Sequence, residues 1–287
     1  MNKLTPVQRL NGLLMKRDDL YEPFGPGEVN GGKMRQCMML VDSIKDGTSR
    51  LITYCSIHSP QAPITAATAL AYGMDCVILY GGTSKEKLRE EAMPRLCMKY
   101  GATVCLATRS GRHNVLHAAA REMKKPGDFI VQYGINLHGH SDVLLGAVAA
   151  QVENIPDEVQ NLVMTCGSGI TATGVLLGLH RFRKKVGRVW LVATAPDRRE
   201  SIHEALKAQG ADRDFEYIDL YHTKGFSYDK PVAAAWGGVT LHPNYEAKTM
   251  QWFVKSGLAP EATLFWIVGA APRNIPAAPG LMQKAER

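Results

Sequence analysis

No apolar run in this sequence approaches the roughly 20 residues that a membrane-spanning helix needs, so no transmembrane anchor is expected. The stretch Met1 to Lys16 holds neither an apolar core of signal-peptide length nor a small-residue cleavage site, and a cytoplasmic protein is expected. The cysteines Cys37, Cys55, Cys76, Cys97, Cys105 and Cys166 never form Cys-x-x-Cys, which leaves no sign of a redox pair or a zinc ribbon. Most lie inside apolar runs such as Asp75-Cys76-Val77-Ile78-Leu79 and read as small buried hydrophobes in a reducing compartment. There is no internal repeat, low-complexity tract or flexible linker, which argues against a solenoid and against two separately tethered domains.

What the sequence has is a composition for a buried core, with 45% apolar and 21% charged residues. The net charge of +7 permits anionic partners without requiring one. Basic residues are scattered except for Arg181-Phe182-Arg183-Lys184-Lys185, at the end of a predicted helix, where cations also complement the helix dipole. Short apolar runs alternate with helix-period segments. Strands are predicted over 51–55, 75–80, 102–107, 129–132, 161–165 and 188–194. Helices are predicted over 64–72, 84–100, 114–124 and 171–184. That alternation implies parallel sheets covered on both faces. The tail from Pro272, with Pro276 and Pro279, is weakly patterned and expected to fray.

Two short stretches carry chemistry. Gly167-Ser168-Gly169-Ile170-Thr171 follows a strand and opens a helix, so backbone N–H groups and the helix N-terminus converge where an anion can sit. No Gly-Lys-Ser/Thr ends it, so it is not a Walker loop, and the glycine spacing is wrong for a dinucleotide fingerprint. A tight turn with no ligand is the alternative. Val29-Asn30-Gly31-Gly32-Lys33 places a lysine behind two glycines at the start of a helical pattern. A phosphate cup with such a lysine suggests pyridoxal 5′-phosphate, the lysine forming a Schiff base with the cofactor aldehyde. His138-Gly139-His140 reads as a turn, and His113 and His117 lack the glutamate of a His-Glu-x-x-His motif, so no metal site is expected.

A third segment, Cys55-Ser56-Ile57-His58-Ser59-Pro60-Gln61-Ala62, completes a pattern that resembles the fold-type-II, tryptophan synthase β-like family of pyridoxal phosphate enzymes. The resemblance is closest to the branch of 1-aminocyclopropane-1-carboxylate deaminase and D-cysteine desulfhydrase. It rests on Lys16-Arg17-Asp18-Asp19-Leu20, Gly31-Gly32-Lys33-Met34-Arg35, His58-Ser59-Pro60-Gln61, Ser168 to Gly174 and Leu241-His242-Pro243-Asn244-Tyr245-Glu246-Ala247-Lys248-Thr249, in family order. It implies an α/β protein of two doubly wound lobes, each with a mainly parallel sheet flanked by helices. The smaller lobe is expected over 46–143 and the larger, cofactor-binding lobe over 1–45 and 144–287. A homodimer is expected.

The resemblance assigns catalysis to Lys33, Ser59 and Tyr228. It assigns the cofactor to Lys33, Gly167, Ser168, Gly169, Ile170, Thr171 and Val268, and the substrate to Ser59, Gln61 and His58. Three positions depart from the family pattern. Pro60 replaces an asparagine that bonds the cofactor's phenolate oxygen, Gly32 replaces the asparagine before the lysine, and Val268 stands where a threonine faces the pyridine nitrogen. Packing alone is then expected to hold the ring. The first functional reading is a lyase or deaminase acting at the α-carbon of a small amino-acid-like substrate. A second is elimination or decarboxylation of an amino-acid group attached to a modified base in DNA. A third is a non-catalytic protein that binds pyridoxal phosphate.

Overall fold

The computed structural model describes residues 3–135, 141–211 and 213–277. The chain divides into two compact units, one of Met1–Pro23, Asn30–Gln36 and His140–Ala271, the other of Phe24–Val29, Cys37–Gly139 and Pro272–Arg287. In chain order the elements begin with β1 (Val7–Leu10), β2 (Leu13–Arg17) and α1 (Gly32–Ile44). Next come β3 (Arg50–Tyr54), α2 (Gln61–Ala71), β4 (Asp75–Gly81), α3 (Lys85–Glu90) and α4 (Ala92–Lys99). β5 (Thr103–Thr108), α5 (His113–Met123) and β6 (Asp128–Val131) end that series. The chain continues through α6 (Ser141–Ala149), β7 (Glu158–Cys166), α7 (Ile170–Arg181), β8 (Lys185–Ala193), α8 (Arg199–Ala208) and β9 (Glu216–Asp219). It ends with the hairpin β10 (Ala235–Trp236) and β11 (Val239–Thr240), then α9 (Glu246–Ser256) and β12 (Thr263–Ile267).

The first unit is built on a six-stranded sheet in the order β1-β2-β12-β7-β8-β9. Only β1 runs antiparallel; β12 lies parallel between β2 and β7, with Leu264 opposite both Leu14 and Leu162. A strand with neighbours on both sides and cover on both faces needs an apolar run rather than alternation. Thr263-Leu264-Phe265-Trp266-Ile267 is buried throughout. One face packs against α6, α7 and α8 through Val148, Val175, Leu179 and Ile202. The other packs against α9 and the β10–β11 hairpin through Met250, Phe253 and Trp236.

The second unit carries an all-parallel sheet in the order β5-β4-β3-β6. Helices α2, α3 with α4, and α5 link its consecutive strands, the crossover that parallel neighbours require. All four strands therefore end at one edge, where the segments 55–60, 82–84, 109–112 and 132–135 gather. That carboxyl edge is where open α/β sheets place their ligands. The division between units falls within α1, at Gln36–Cys37, rather than at the expected 45/46. The second unit also holds 24–29 and its partner segment after 272, tied by the amides of Arg273 and Asn274 donating to the Gly27 carbonyl at 2.8 and 3.0 Å.

Two helices differ from the sequence reading. The single helix predicted over 84–100 is two, broken at Glu91, whose ψ is 144°. Pro94 forces the break, because its ring would clash with the carbonyl of Glu90 in a continuous helix. The helix predicted over 171–184 ends at Arg181, and Arg183 follows in a left-handed turn with φ of 53°. The basic cluster is thereby split. Lys184 turns inward to the Ile155 carbonyl (2.9 Å) and Asp157 (2.7 Å), while Lys185 enters β8 and pairs with Glu158.

Candidate active site

Lys33 is half-buried in the first turn of α1. Gly31 before it has a φ of +90°, and a Cβ there would lie 2.4 Å from the Val268 carbonyl oxygen. The Gly32 amide donates to that same oxygen at 2.7 Å, and the Ala270 amide donates to Asn30 Oδ1 at 2.8 Å. The glycines therefore admit the backbone that follows β12, which fixes where the lysine stands; that is a different task from leaving room for its side chain. The motif Lys16 to Leu20 forms the frame beneath. Asp18 accepts from Thr5 Oγ1 (2.6 Å), Arg35 (3.2 Å) and Trp266 Nε1 (3.1 Å), and its Oδ2 would be 3.0 Å from a Cβ on Gly32. Lys16 donates to the Thr5 carbonyl and Asn154, and burial pushes its pKa down to about 8.

The Gly167 to Thr171 stretch leaves the end of β7 and starts α7. Gly169 is the N-cap with φ of +89°, and no side chain caps the helix. The first N–H groups of a helix have no partner within it, so the turn presents donors and a positive dipole end. Gly167, Ser168 and Ile170 are half-buried, while Gly169 and Thr171 are buried. Gln36 Nε2, from α1, donates to Thr171 Oγ1 at 3.3 Å. That bond leaves the threonine's own proton directed elsewhere and joins the Lys33 helix to the loop. Two polar atoms here are buried without a partner among the described residues, Gln36 Oε1 and Arg198 Nε. Arg198 lies close by, its Cβ 3.4 Å from where a Cβ on Gly169 would be. Gly174 serves packing: a Cβ there would meet Val148 Cβ of α6 at 2.5 Å.

Beyond β12, Val268 packs against the core with its side chain and donates its amide to Glu246 Oε1 at 3.0 Å. Glu246 is 2% exposed, and burial pushes its carboxyl up to about 7. A polar group thus stands at Val268 after all, contributed by α9. Tyr245, one residue earlier, shares a hydrogen bond between hydroxyls with Tyr228, the rings 5.7 Å apart. Lys248 Nζ holds the Ser227 and Tyr228 carbonyls at 2.8 Å each. Sequence reasoning gave Glu246 and Tyr245 no role, although both lie in the quoted motif Leu241 to Thr249; an acid directly after a tyrosine at a helix start was the available signal.

In the second unit, Ser59 is buried after β3 and its Oγ accepts the Gln61 amide at 3.3 Å, a serine turn just ahead of α2, whose N-cap is Pro60. Pro60 enters the helix with φ of −68°. Gln61 is 1% exposed, and its carboxamide is fully engaged. Nε2 donates to Thr53 Oγ1 (2.8 Å) and the Gln132 carbonyl (3.0 Å), while Oε1 accepts the Gly134 amide (2.6 Å). That leaves no Gln61 N–H for a substrate carboxylate; the side chain clamps the ends of β3 and β6 instead. His58 Nδ1 faces Glu91 at 3.6 Å. His113 stacks on Tyr133 and His117 bonds the Tyr54 hydroxyl. The pair His138 and His140 lies outside the described residues.

The model of the pyridoxal-phosphate dependent enzyme family matches residues 2–236. The chain belongs to that family. An O-seryl-dTMP PLP-dependent decarboxylase of Salmonella phage ViI is 25% identical over 90% of this chain and 78% of its own length. A D-cysteine desulfhydrase of Salmonella paratyphi B is also 25% identical, over 83% of this chain and 79% of its own. The crystal structure of an ACC deaminase homologue matches with a TM-score of 0.76 at 22% identity, over 95% of this chain and 91% of that one. The protein is thus a pyridoxal phosphate-dependent enzyme with the fold-type-II architecture. Among the described residues no helix is long and apolar enough to cross a membrane.

The first unit's residues suit that cofactor. A phosphate group needs several donors and a compensating charge, and the uncapped turn at Gly169, the Thr171 hydroxyl and the unpartnered Arg198 Nε supply both kinds. A pyridine nitrogen accepts a hydrogen bond, and the Glu246 carboxyl, pushed up to about 7 by burial, is a group beside Val268 that can donate one when protonated.

Proposed function

We propose that this enzyme decarboxylates an amino-acid group carried on a modified pyrimidine of DNA. The observation that carries the reading is the likeness to the phage O-seryl-dTMP decarboxylase over nine-tenths of this chain. When bound, pyridoxal phosphate supplies a conjugated electron sink for a bond broken at the substrate's α-carbon. Lys33 holds the cofactor through its amine, the turn Gly167 to Thr171 holds its phosphate, and Glu246 meets its ring nitrogen beside Val268. The C–COO⁻ bond breaks, carbon dioxide leaves, and the electron pair remaining at Cα takes up a proton. Lys33 Nζ is the donor proposed for that proton, and the paired hydroxyls of Tyr228 and Tyr245 can relay its replacement. Ser59, through its hydroxyl, is proposed as a carboxylate contact, with His58 as a further contact to the substrate.

Borohydride reduction followed by peptide mass spectrometry tests the lysine. The wild type should yield a pyridoxyl group on the peptide containing Lys33, and Lys33→Ala should yield none; a modified lysine elsewhere overturns the assignment. Incubation with DNA bearing O-seryl-modified thymine should release carbon dioxide and leave the amine on the base. A second reading, a small-molecule lyase, is favoured by the likeness to D-cysteine desulfhydrase. Rapid sulfide release from free D-cysteine, with the modified DNA left unchanged, would select it.

A further inference from the structure

Between Glu91 and Glu122 the sequence contains no carboxylate, yet it carries five of the chain's lysines and arginines: Arg95, Lys99, Arg109, Arg112 and Arg121. Two of them serve the second unit itself, Lys99 through Glu28 (2.6 Å) and Arg95 through the Pro276 carbonyl (2.7 Å). Arg109, Arg112 and Arg121 make no ion pair among the described residues. Arg109 and Arg112 are exposed and bracket Ser110-Gly111 at the carboxyl end of β5.

This loop is braced. A Cβ on Gly81 would lie 2.2 Å from the Ser110 carbonyl oxygen, and one on Gly82 would lie 2.8 Å from the Gly111 nitrogen, so the turn after β4 backs directly onto it. Thr108 Oγ1 donates to the Ser110 carbonyl at 2.6 Å. Its far end leads straight into α5, whose first residue, His113, stacks on Tyr133 with ring centroids 3.8 Å apart. The next residue, Gly134, is held by Gln61 at 2.6 Å. A continuous set of contacts therefore ties the two arginines to the Ser59–Gln61 segment on one edge of one sheet. In the cluster Arg181 to Lys185, Lys184 and Lys185 are neutralised by carboxylates and Arg181 donates to Gln209 at 3.4 Å, and among the described residues no such set of contacts links Arg183 to a strand's carboxyl end.

We propose that Arg109 and Arg112 contact backbone phosphates of DNA, and that their loop is the surface on which the substrate-bearing strand docks. The inference rests on the DNA-linked reading above. Exposed, unpaired guanidiniums on a firm backbone suit a phosphodiester chain crossing a surface; an enclosed mononucleotide site would bury its cation.

The test measures binding of a fluorescent DNA duplex to the cofactor-loaded enzyme by anisotropy across a salt series. Each phosphate contact contributes roughly 0.9 to the slope of log affinity against log salt. The double variant Arg109→Gln/Arg112→Gln should lose about 2 from that slope and bind at least tenfold more weakly at low salt. Arg181→Gln/Arg183→Gln should bind as the wild type does, and an unaltered cofactor absorbance band reports that each variant is folded. If the wild type binds DNA and the Arg109/Arg112 variant matches it in slope and affinity, the docking surface is wrong and the DNA-linked reading survives. If the wild type fails to bind DNA even at low salt, both fall. Competition by thymidine monophosphate, as effective per phosphate as the duplex, would also overturn the strand-docking proposal.

Discussion

Glu246 begins α9 with its carboxyl enclosed, and loss of water favours the neutral acid. Its folded pKa of about 7 lies above the ordinary 4.5, so between those values the folded protein binds a proton that the unfolded chain releases. The stability so gained is fully present below about pH 4.5 and is lost as the pH rises through 7. That span amounts to on the order of 3 kcal/mol. Urea midpoints of the cofactor-free enzyme should fall between about pH 5 and pH 8, whereas Glu246→Gln should remove most of that fall while keeping an acceptor for the Val268 amide. The glutamine variant, loaded with cofactor, should also show a displaced absorption band if this carboxyl meets the ring. That Lys33 opens a helix behind two glycines, and that Gly169 and Thr171 stand at a strand-to-helix turn, was legible from spacing, because backbone geometry constrains which residues can stand there. Glu246 was not: an acid in the first turn of a helix ordinarily reads as a complement to the dipole, and only burial distinguishes it. Gln61 misled for a similar reason. Its three partners, Thr53, Gln132 and Gly134, come from other strands and turns that the local motif does not reveal.

At the scale of elements, α6 and α7 cross where α7 has no side chains. A Cβ on Gly178 would lie 2.5 Å from Val152 Cγ2 and 2.7 Å from the Ala149 carbonyl, and Gly174 meets Val148 as closely. In contrast, a Cβ on Gly146 of α6 meets nothing within 4 Å. The same substitution should therefore act oppositely at the two sites. Gly178→Ala overpacks the crossing and should destabilise by about 1–3 kcal/mol; Gly146→Ala gains helix propensity and should stabilise by about 0.5–1 kcal/mol. Chemical denaturation of both variants against the wild type decides it. Most of the strands flanking the loops, β3, β4, β7 and β8, could be read from their apolar runs. The break between α3 and α4 could have been read from Pro94 but was hidden by an amphipathic period that continues across it. β12 escaped although Leu264 to Ile267 is an apolar run of the same kind, because it precedes the weakly patterned tail instead of a helix-period segment.

For the whole molecule, the cofactor is a ligand of the folded state alone, and binding should raise stability by RT ln(1 + [L]/Kd), roughly 4 kcal/mol at a thousandfold excess over Kd. Melting curves should shift upward with added pyridoxal phosphate, and the shift should shrink in Lys33→Ala, which keeps the phosphate turn but loses the covalent hold. An equal shift in both proteins would locate the attachment elsewhere. The two-unit arrangement itself was anticipated from alternating strands and helices, while the division inside α1 was not, because a helix shared between units carries no break in its pattern. The position of β12 has a consequence for synthesis. Residues 263–267 are translated after the other five strands of the first unit's sheet, yet they fill its middle, between β2 and β7. Until they leave the ribosome, β2 has no parallel neighbour and Gly32 has no Val268 carbonyl to rest against. A nascent chain can thus display Lys33 long before it can seat it, which makes cofactor capture a report that translation has passed β12.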